Sequence, residues 1–554
     1  MQTETRLVSS LVKVMPTPRL TVSELSHLSA VRGEVVSFQL AARCDRKLLA
    51  DVTLRSDLPK ECFAIRRVGL VPCLMPANRE DEYAFATEPG VFPDPLLPLD
   101  GPWFGSPDLW NALWITCRVP ADAPAGVHKI TLTLSPAPGF ARHREEFEPI
   151  VHTLELEIIP AQLPRQTLTC LNWFHADCIA SVYRVAPWSG EHWSLLAAYF
   201  GNMSEHGCNS LLTPLWSISL DVREGGERPT CQLLDITFRD GEYSFDFTRL
   251  ERWIDLARRC GLEYFEMVHP FTQWGAKATP KIMVEENGTL VKKFGWHVPS
   301  DSPEYAAFLG ALYPRLQEFL IGKGLRHKCF FHVSDEPNMD CIGDYRKTSA
   351  LIRGLVNEED FTVIDALSNT EFVKTGLIGT PIPSVQHIDP FMELELPHRW
   401  TYYCCGGTGG VPNRFLGISS LRNRVLGVLL YLYRIEGFLQ WGFNFWYSQL
   451  SLQMPIDPYS NTDAGGNFPG GDAFQVYPGP AGPVDSLHYE VFREALQDQR
   501  ALQLLESRIG RDAVVALIHE GVDYELKMSR YPREDWWLLD LRARVNAKLK
   551  ECFA

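Results

Sequence analysis

The chain has 554 residues, 45% hydrophobic and 22% charged, a composition that excludes disorder and a length too great for one ordinary core. Its 53 basic and 68 acidic side chains give a formal charge of −15, which repels phosphate backbones and anionic bilayers, so neither nucleic acid nor membrane is an expected partner. Met1 to Arg19 holds no apolar signal core, and the longest apolar run, Val425 to Tyr433, is far short of a membrane span. The 14 cysteines show no CxxC spacing, and the only close pair, Cys404 and Cys405, is adjacent and cannot easily bridge. Reduced thiols and a cytoplasmic location are the expectation, although an exported chain stripped of its leader would have the same composition.

From Leu7 to Pro160 short β-rich runs alternate with Pro and Gly turns: Val35 to Ala42, Trp114 to Val119, His128 to Ser135 and Val151 to Ile159. This pattern predicts an N-terminal β-sandwich over residues 1–160. Within it, Met75 to Trp103 reads as a long ordered loop, a candidate platform beside a neighbouring domain.

After Pro160 the texture changes to apolar strands alternating with amphipathic helices, which predicts βα units on a parallel sheet. The strands are expected at Thr167 to Trp173, Asn209 to Trp216, Tyr264 to His269, Lys328 to Val333, Thr362 to Ala366, Ser384 to Ile388, Trp400 to Cys404 and Gly437 to Phe445. Helices are expected at Glu191 to His206, Thr248 to Cys260, Pro303 to Ile321, Asp344 to Asn357, Ser419 to Tyr433 and Asp485 to Glu506. Eight such repeats give an α/β fold with a (β/α)8 TIM-type barrel over 161–510, carrying a hairpin insertion at Cys231 to Phe247. Residues 511–554 read as a helical appendage.

Barrel enzymes place their chemistry at the C-terminal mouths of the strands. There the fourth strand ends in Phe330-Phe-His-Val-Ser-Asp-Glu-Pro337. Adjacent side chains on a regular strand face opposite ways, so Asp335 and Glu336 can share a pocket only if the pleat breaks. Pro337, which lacks a ladder donor, argues that it does. Paired carboxyls on separate strands serve the usual glycosidases. An adjacent pair suits substrate assistance instead, in which the sugar's 2-acetamido oxygen attacks the anomeric carbon. Asp335 would then orient the amide N–H, and Glu336 would be the general acid and then the base.

Sugar rings present apolar faces edged by hydroxyls, so aromatic platforms with a few polar groups are sought nearby. Trp173, Trp274, Trp441 and Trp446 are the candidate platforms, and Tyr402 or Tyr403 the donor to the acetamido carbonyl. His269, Asn369, Asn444 and Asp472 are candidate hydroxyl ligands, while His332 reads as a satisfied barrel histidine. No HExxH or Cys/His spacing supports zinc, and Asp457 to Asp472 lacks calcium-loop spacing, so no metal is expected. The Gly-rich pieces at 405–410 and 465–471 match no phosphate or dinucleotide loop, so no cofactor is expected either.

Val333-Ser-Asp-Glu-Pro337, Trp400-Thr-Tyr-Tyr-Cys-Cys405, Pro412-Asn-Arg-Phe415, Gly437-Phe-Leu-Gln-Trp441 with Trp446, and Gly471-Asp472 with Tyr477-Pro-Gly479 together resemble glycoside hydrolase family 123. The likeness runs over residues 160–510, and the preceding sandwich is similar to that of the family. It implies a retaining exo-β-N-acetylgalactosaminidase acting through an oxazoline, on a carbohydrate with terminal β-linked GalNAc, with Asp335 as stabiliser and Glu336 as acid/base. The residues themselves leave open a β-N-acetylglucosaminidase, another β-glycosidase, a sugar-binding protein without turnover, and a homo-oligomeric state.

Overall fold

The computed structural model describes residues 2–137 and 147–553. Its N-terminal region is built of two five-stranded sheets. In hydrogen-bonded order, the first holds Thr3–Ser9, Val35–Cys44, Asn111–Arg118, Phe63–Cys73 and Gly90–Pro98, all antiparallel. The second holds His27–Arg32, Ile150–Gln162, Gly126–Pro136, Leu48–Ser56 and Trp103–Gly105. Alternation along the strands sends Leu40, Leu113 and Ile115 of one sheet and Leu132, Leu134 and Leu156 of the other into a common core. Three of the four strands expected here lie inside longer observed ones, and Trp114 to Val119 overruns Asn111–Arg118 by one residue. Gly90–Pro98 falls in the stretch read as a loop, because Pro93, Pro95 and Pro98 mask it. It stands at the sheet's edge, laddered to Phe63–Cys73 and bridged at Pro95 to Ser486, and prolines are tolerated there.

Eight parallel strands follow in a nearly closed barrel: β1 (Thr169–Asn172), β2 (Ser210–Thr213), β3 (Tyr264–Met267), β4 (Cys329–Phe331), β5 (Thr362–Ala366), β6 (Thr380–Ile382), β7 (Trp400–Tyr402) and β8 (Gly437–Gln440). The ladder runs β6 through β1 and on to β8 and β7. Between its two ends, the Tyr402 N–H donates to Pro383 O (3.1 Å) and the Val385 N–H to Tyr402 O (2.8 Å). Strand six is a correction: it lies at Thr380–Ile382, before the expected Ser384 to Ile388. Pro381 and Pro383 read as breakers, but β6 is laddered on one side only, where a missing donor costs little. At the start of β8, a Cβ on Gly437 would sit 2.0 Å from the Trp400 ring, so only glycine lets β7 and β8 approach.

The expected hairpin is present as Asp235–Arg239 and Glu242–Asp246, and a second, Ile282–Glu286 with Thr289–Phe294, extends it to four strands. Its Asn287-Gly288 turn has both residues at positive φ (52° and 82°), the usual signal of a tight hairpin and one the sequence reading passed over. The expected Ser419 to Tyr433 helix is split into Ser420–Arg424 and Leu426–Leu432.

The C-terminal helix Asp535–Phe553 folds back across the chain. Arg542 pairs with Glu34 of the N-terminal region (2.7 Å) and with Asp498 of the long helix Leu487–Ile509 (2.8 Å). On the same helix Glu490 meets Arg66 (2.5 Å), and Glu494 meets Ser10 (2.7 Å) and Arg424 (2.8 Å). Among the described residues, no helix is long and apolar enough to cross a membrane.

The 75–103 stretch docks on the barrel mouth. Gly417 N–H donates to Pro76 O (2.7 Å), Asn78 Nδ2 to Cys405 O (2.7 Å), and the buried Asp81 pairs with the buried Arg422 (2.8 Å). Replacing Arg422 with Met would leave Asp81 buried beside no counter-charge. Arg422→Met is therefore expected to lower unfolding free energy at neutral pH by about 3–5 kcal/mol, read from urea denaturation. An unchanged midpoint would contradict the anchoring role.

Candidate functional site

The β4 ladder stops at Phe331, and Asp335 and Glu336 follow on irregular backbone. Glu336 takes φ = 44°, in the left-handed region. That conformation is costly for a side chain bearing a Cβ, and unusual before a proline, which favours extended geometry in its predecessor. The strained turn breaks the strand alternation, so both carboxyls of an adjacent pair line one cleft. It is held from two sides: Glu336 N–H donates to Ala366 O at the end of β5, and Trp274 N–H to Asp335 O (each 3.1 Å).

Each carboxylate has its own donor. Gln273 Nε2 donates to Asp335 Oδ2 (2.8 Å), and the Tyr402 hydroxyl donates to Glu336 Oε1 (2.6 Å). Burial and then the neighbouring Glu336 charge push the Asp335 carboxyl well above the usual carboxylate range, against the pull of His332 and the Gln273 hydrogen bond.

The space within the cleft and its open mouth is about 560 Å³. Trp173, Trp441 and Phe468 wall it, and the half-exposed Trp274 stands at its rim. Two of these rings are fixed by their indole N–H. Trp173 Nε1 donates to both oxygens of the buried Glu266 (2.9 Å each), and Trp441 Nε1 donates to Asp472 Oδ2 (2.9 Å). Glu266 also bonds His332 Nε2, whose Nδ1 meets Asp365 (3.0 Å), which in turn accepts from Tyr345 (2.5 Å). Burial opposes a charge on His332, but Glu266 and Asp365 outweigh it and raise its pKa to about 10, so it stands as an imidazolium beneath the cleft. Burial pushes Asp472 up to about 7, with Arg414 opposing.

Of the sequence candidates, the structure brings Asp335, Glu336, Trp173, Trp274, Tyr402 and Trp441 to the cleft wall. The others lie elsewhere. Tyr403, one residue past Tyr402, is buried against Phe438. His269 is fully buried behind Trp173, stacked on His332 with ring centroids 3.9 Å apart. Asn369 accepts from Glu371 N–H (2.9 Å) at the start of the short helix Glu371–Lys374. Asn444 exchanges two hydrogen bonds with the His175 backbone (2.8 and 3.0 Å), and Trp446 donates to Val476 O (3.1 Å). Asp472 stands one layer back, holding Trp441. The sequence reading missed Gln273, Asp221, Cys404, Cys405 and Phe468 in the wall and Glu266 behind it. Gln273 adjoins a tryptophan already singled out; Glu266 sits mid-strand among apolar neighbours, where only the closed barrel shows that it faces inward.

Among the described residues, two side-chain groups have donor atoms at metal-binding separation: Glu266, His269 and His332, and His206, Asp485 and Glu490. In the first, both His332 nitrogens already face carboxylates. In the second, both carboxylates are paired with Arg66 (2.5 Å each).

The glycoside hydrolase 123 catalytic-domain model matches residues 173–505. No curated protein matches the chain. Among solved structures, a family 123 glycoside hydrolase from Clostridium perfringens, studied for glycolipid glycan hydrolysis, superposes with a TM-score of 0.73 at 14% identity, covering 100% of this chain and 97% of that one. A β-glucuronidase from Bifidobacterium dentium covers 90% of this chain and 66% of its own at 9% identity, with a TM-score of only 0.32. The family model spans well over half of the sequence, from Trp173 at the end of the first barrel strand into the helix after the eighth, and includes Asp335 and Glu336. The chain belongs to glycoside hydrolase family 123.

Proposed function

We propose that this glycoside hydrolase is a retaining exo-β-N-acetylgalactosaminidase that works by substrate assistance, on a (β/α)8 TIM-type barrel at 161–510 preceded by a β-sandwich at 1–160. The observation that carries the reading is the left-handed turn at Glu336, which aims two adjacent carboxyls into one aromatic cleft. Two carboxyls on neighbouring residues cannot readily flank a glycosidic bond from opposite faces of a ring. They can serve one substrate from the same side, one at the acetamido group and one at the leaving oxygen.

In this mechanism the terminal sugar stacks among Trp173, Trp441 and Trp274. Asp335, steadied by Gln273, accepts the acetamido N–H and offsets the positive charge that develops as the amide oxygen closes on C1. Glu336 delivers its proton to the departing oxygen and then draws a proton from the water that opens the oxazoline, returning the β-configuration. Tyr402, which lines the cleft where Tyr403 does not, would serve the acetamido carbonyl by turning its hydroxyl from Glu336 to the bound sugar. The galacto preference comes from the family likeness, and glycolipid glycans, the subject for the Clostridium relative, supply the substrate class to try first.

Hydrolysis of a chromogenic β-GalNAc glycoside faster than its β-GlcNAc and β-galactoside counterparts is the expected result, and equal rates on the last would overturn substrate assistance. Tyr402→Phe is expected to lower kcat on the order of 10²-fold, the scale for one donor to developing charge, with little change in thermal stability. A wild-type kcat would remove Tyr402 from the mechanism. The pH profile carries a sign as well. Asp335 must be anionic to act, and its titration is raised, so kcat/KM should climb on the acid side at higher pH than an ordinary aspartate near 4 would give. An acid limb at or below that range would contradict the assignment.

A further inference from the structure

Two thiols in the cleft wall have no part in the proposed hydrolysis. Cys404 and Cys405 follow β7 after the single residue Tyr403, and both line the cleft with Glu336 and Trp441. Neighbouring side chains on an extended strand would diverge, but here the chain turns: Gly407 N–H donates to Cys404 O (3.2 Å). Both cysteine carbonyls are clamped from outside. Asn413 Nδ2 donates to Cys404 O (3.0 Å), and Asn78 Nδ2, from the docked N-terminal stretch, donates to Cys405 O (2.7 Å). Both side chains face the one cleft, where the neighbouring Cys405 and then burial hold the proton on Cys404. Both cysteines are partly exposed. A second sulfur pair, Cys170 and Cys208 at 3.9 Å, is buried out of solvent's reach.

We infer that Cys404 and Cys405 form a preorganised vicinal dithiol, a covalent site for trivalent arsenicals inside the sugar cleft. The chemistry balances without an oxidant. An aryl arsenoxide, Ar–As=O, forms two As–S bonds as two S–H bonds break; both protons leave with the oxygen as water, and arsenic stays trivalent. The aryl group would lie among the cleft tryptophans, in the volume assigned to the terminal sugar. Blockage of turnover rests on the proposed function, whereas the adduct itself does not.

The test treats the native full chain with one equivalent of phenylarsine oxide, followed by intact mass, peptide mapping and turnover of a β-GalNAc glycoside on the same sample. The expected result is one adduct per chain on the peptide carrying both cysteines, stable to a monothiol and removed by a dithiol, with turnover lost in proportion to labelling and regained with its removal. Cys405→Ser should leave an adduct that a monothiol strips. No stable adduct on native protein, mapping to Cys170 and Cys208, or a monothiol-resistant adduct on Cys405→Ser would overturn the inference. So would full labelling with undiminished turnover, which would take the pair out of the sugar's path. A protein that labels as described but never hydrolyses any β-GalNAc glycoside would leave the dithiol standing and refute the hydrolytic reading.

Discussion

Glu336→Gln should cut kcat on a β-GalNAc glycoside with an alkyl leaving group by about 10²–10⁴-fold, equivalent to about 3–5 kcal/mol of barrier. The amide is nearly isosteric and can still accept the 2.6 Å hydrogen bond from Tyr402, so the turn at Glu336 is preserved while the transferable proton is lost. The loss should depend on the leaving group. A nitrophenolate departs with little help from an acid, so oxazoline formation from such a substrate should approach the wild-type rate in the variant and shift the deficit to the hydrolytic half-reaction. The check is kcat/KM across a series of aryl and alkyl aglycones. A deficit of equal size for all of them would mean that Glu336 holds structure and is not the proton donor.

Asp335→Ala should be as damaging, about 10³-fold in kcat/KM by the scale of lost electrostatic stabilisation, through a different failure. Under the proposed mechanism, loss of Asp335 leaves the amide neither oriented for attack nor relieved of charge as the oxazolinium forms. The variant should therefore lose affinity for a GalNAc-thiazoline, which mimics that intermediate, far more than for GalNAc itself. Added azide also separates the mechanisms. In an enzyme with a carboxylate nucleophile, azide restores activity to the truncated variant and yields the inverted glycosyl azide. Under the proposed mechanism the nucleophile belongs to the substrate, and no inverted azide should form. Burial and the adjacent Glu336 charge already disfavour an anionic Asp335, so removing it should not cost folding stability above the acid range: a group raised in the folded state loses its contribution as pH climbs past its unfolded value.

Much of this was legible in the chain because the barrel strands are buried on both faces and read as apolar runs, and because helices such as Thr248–Arg259 and Pro303–Gly322 keep an unbroken period. The misplacements share one cause: proline. It hid the edge strand Gly90–Pro98 and displaced β6 to Ser384, since the rule that proline breaks strands is relaxed at a sheet's end. Pro337, by contrast, announced that the pleat ends near the acidic pair. The left-handed φ of Glu336 was beyond sequence reasoning, because a β-carbon residue before proline is the last place to expect it. The cleft was legible where aromatics end strands, as at Trp173 and Trp441. It failed one residue away: Tyr402 and Tyr403 are equivalent in composition, and only strand register decides that the first faces the carboxyls and the second Phe438. His269, Asn369, Asn444 and Trp446 were polar or aromatic at the right height but had local backbone or packing partners that a sequence does not display.

In the proposed mechanism the substrate's own amide attacks C1 while Asp335 holds it. The most direct measurement is kcat/KM on aryl β-GalNAc glycosides of one leaving group in which the acetyl group is N-acetyl, N-fluoroacetyl, N-difluoroacetyl and N-trifluoroacetyl. Each fluorine withdraws electrons from the attacking oxygen without altering the glycosidic bond, so the account predicts a steep stepwise fall along the series. Rates that stay level from acetyl to trifluoroacetyl would show that the amide does not attack and that an enzyme carboxylate or a water does.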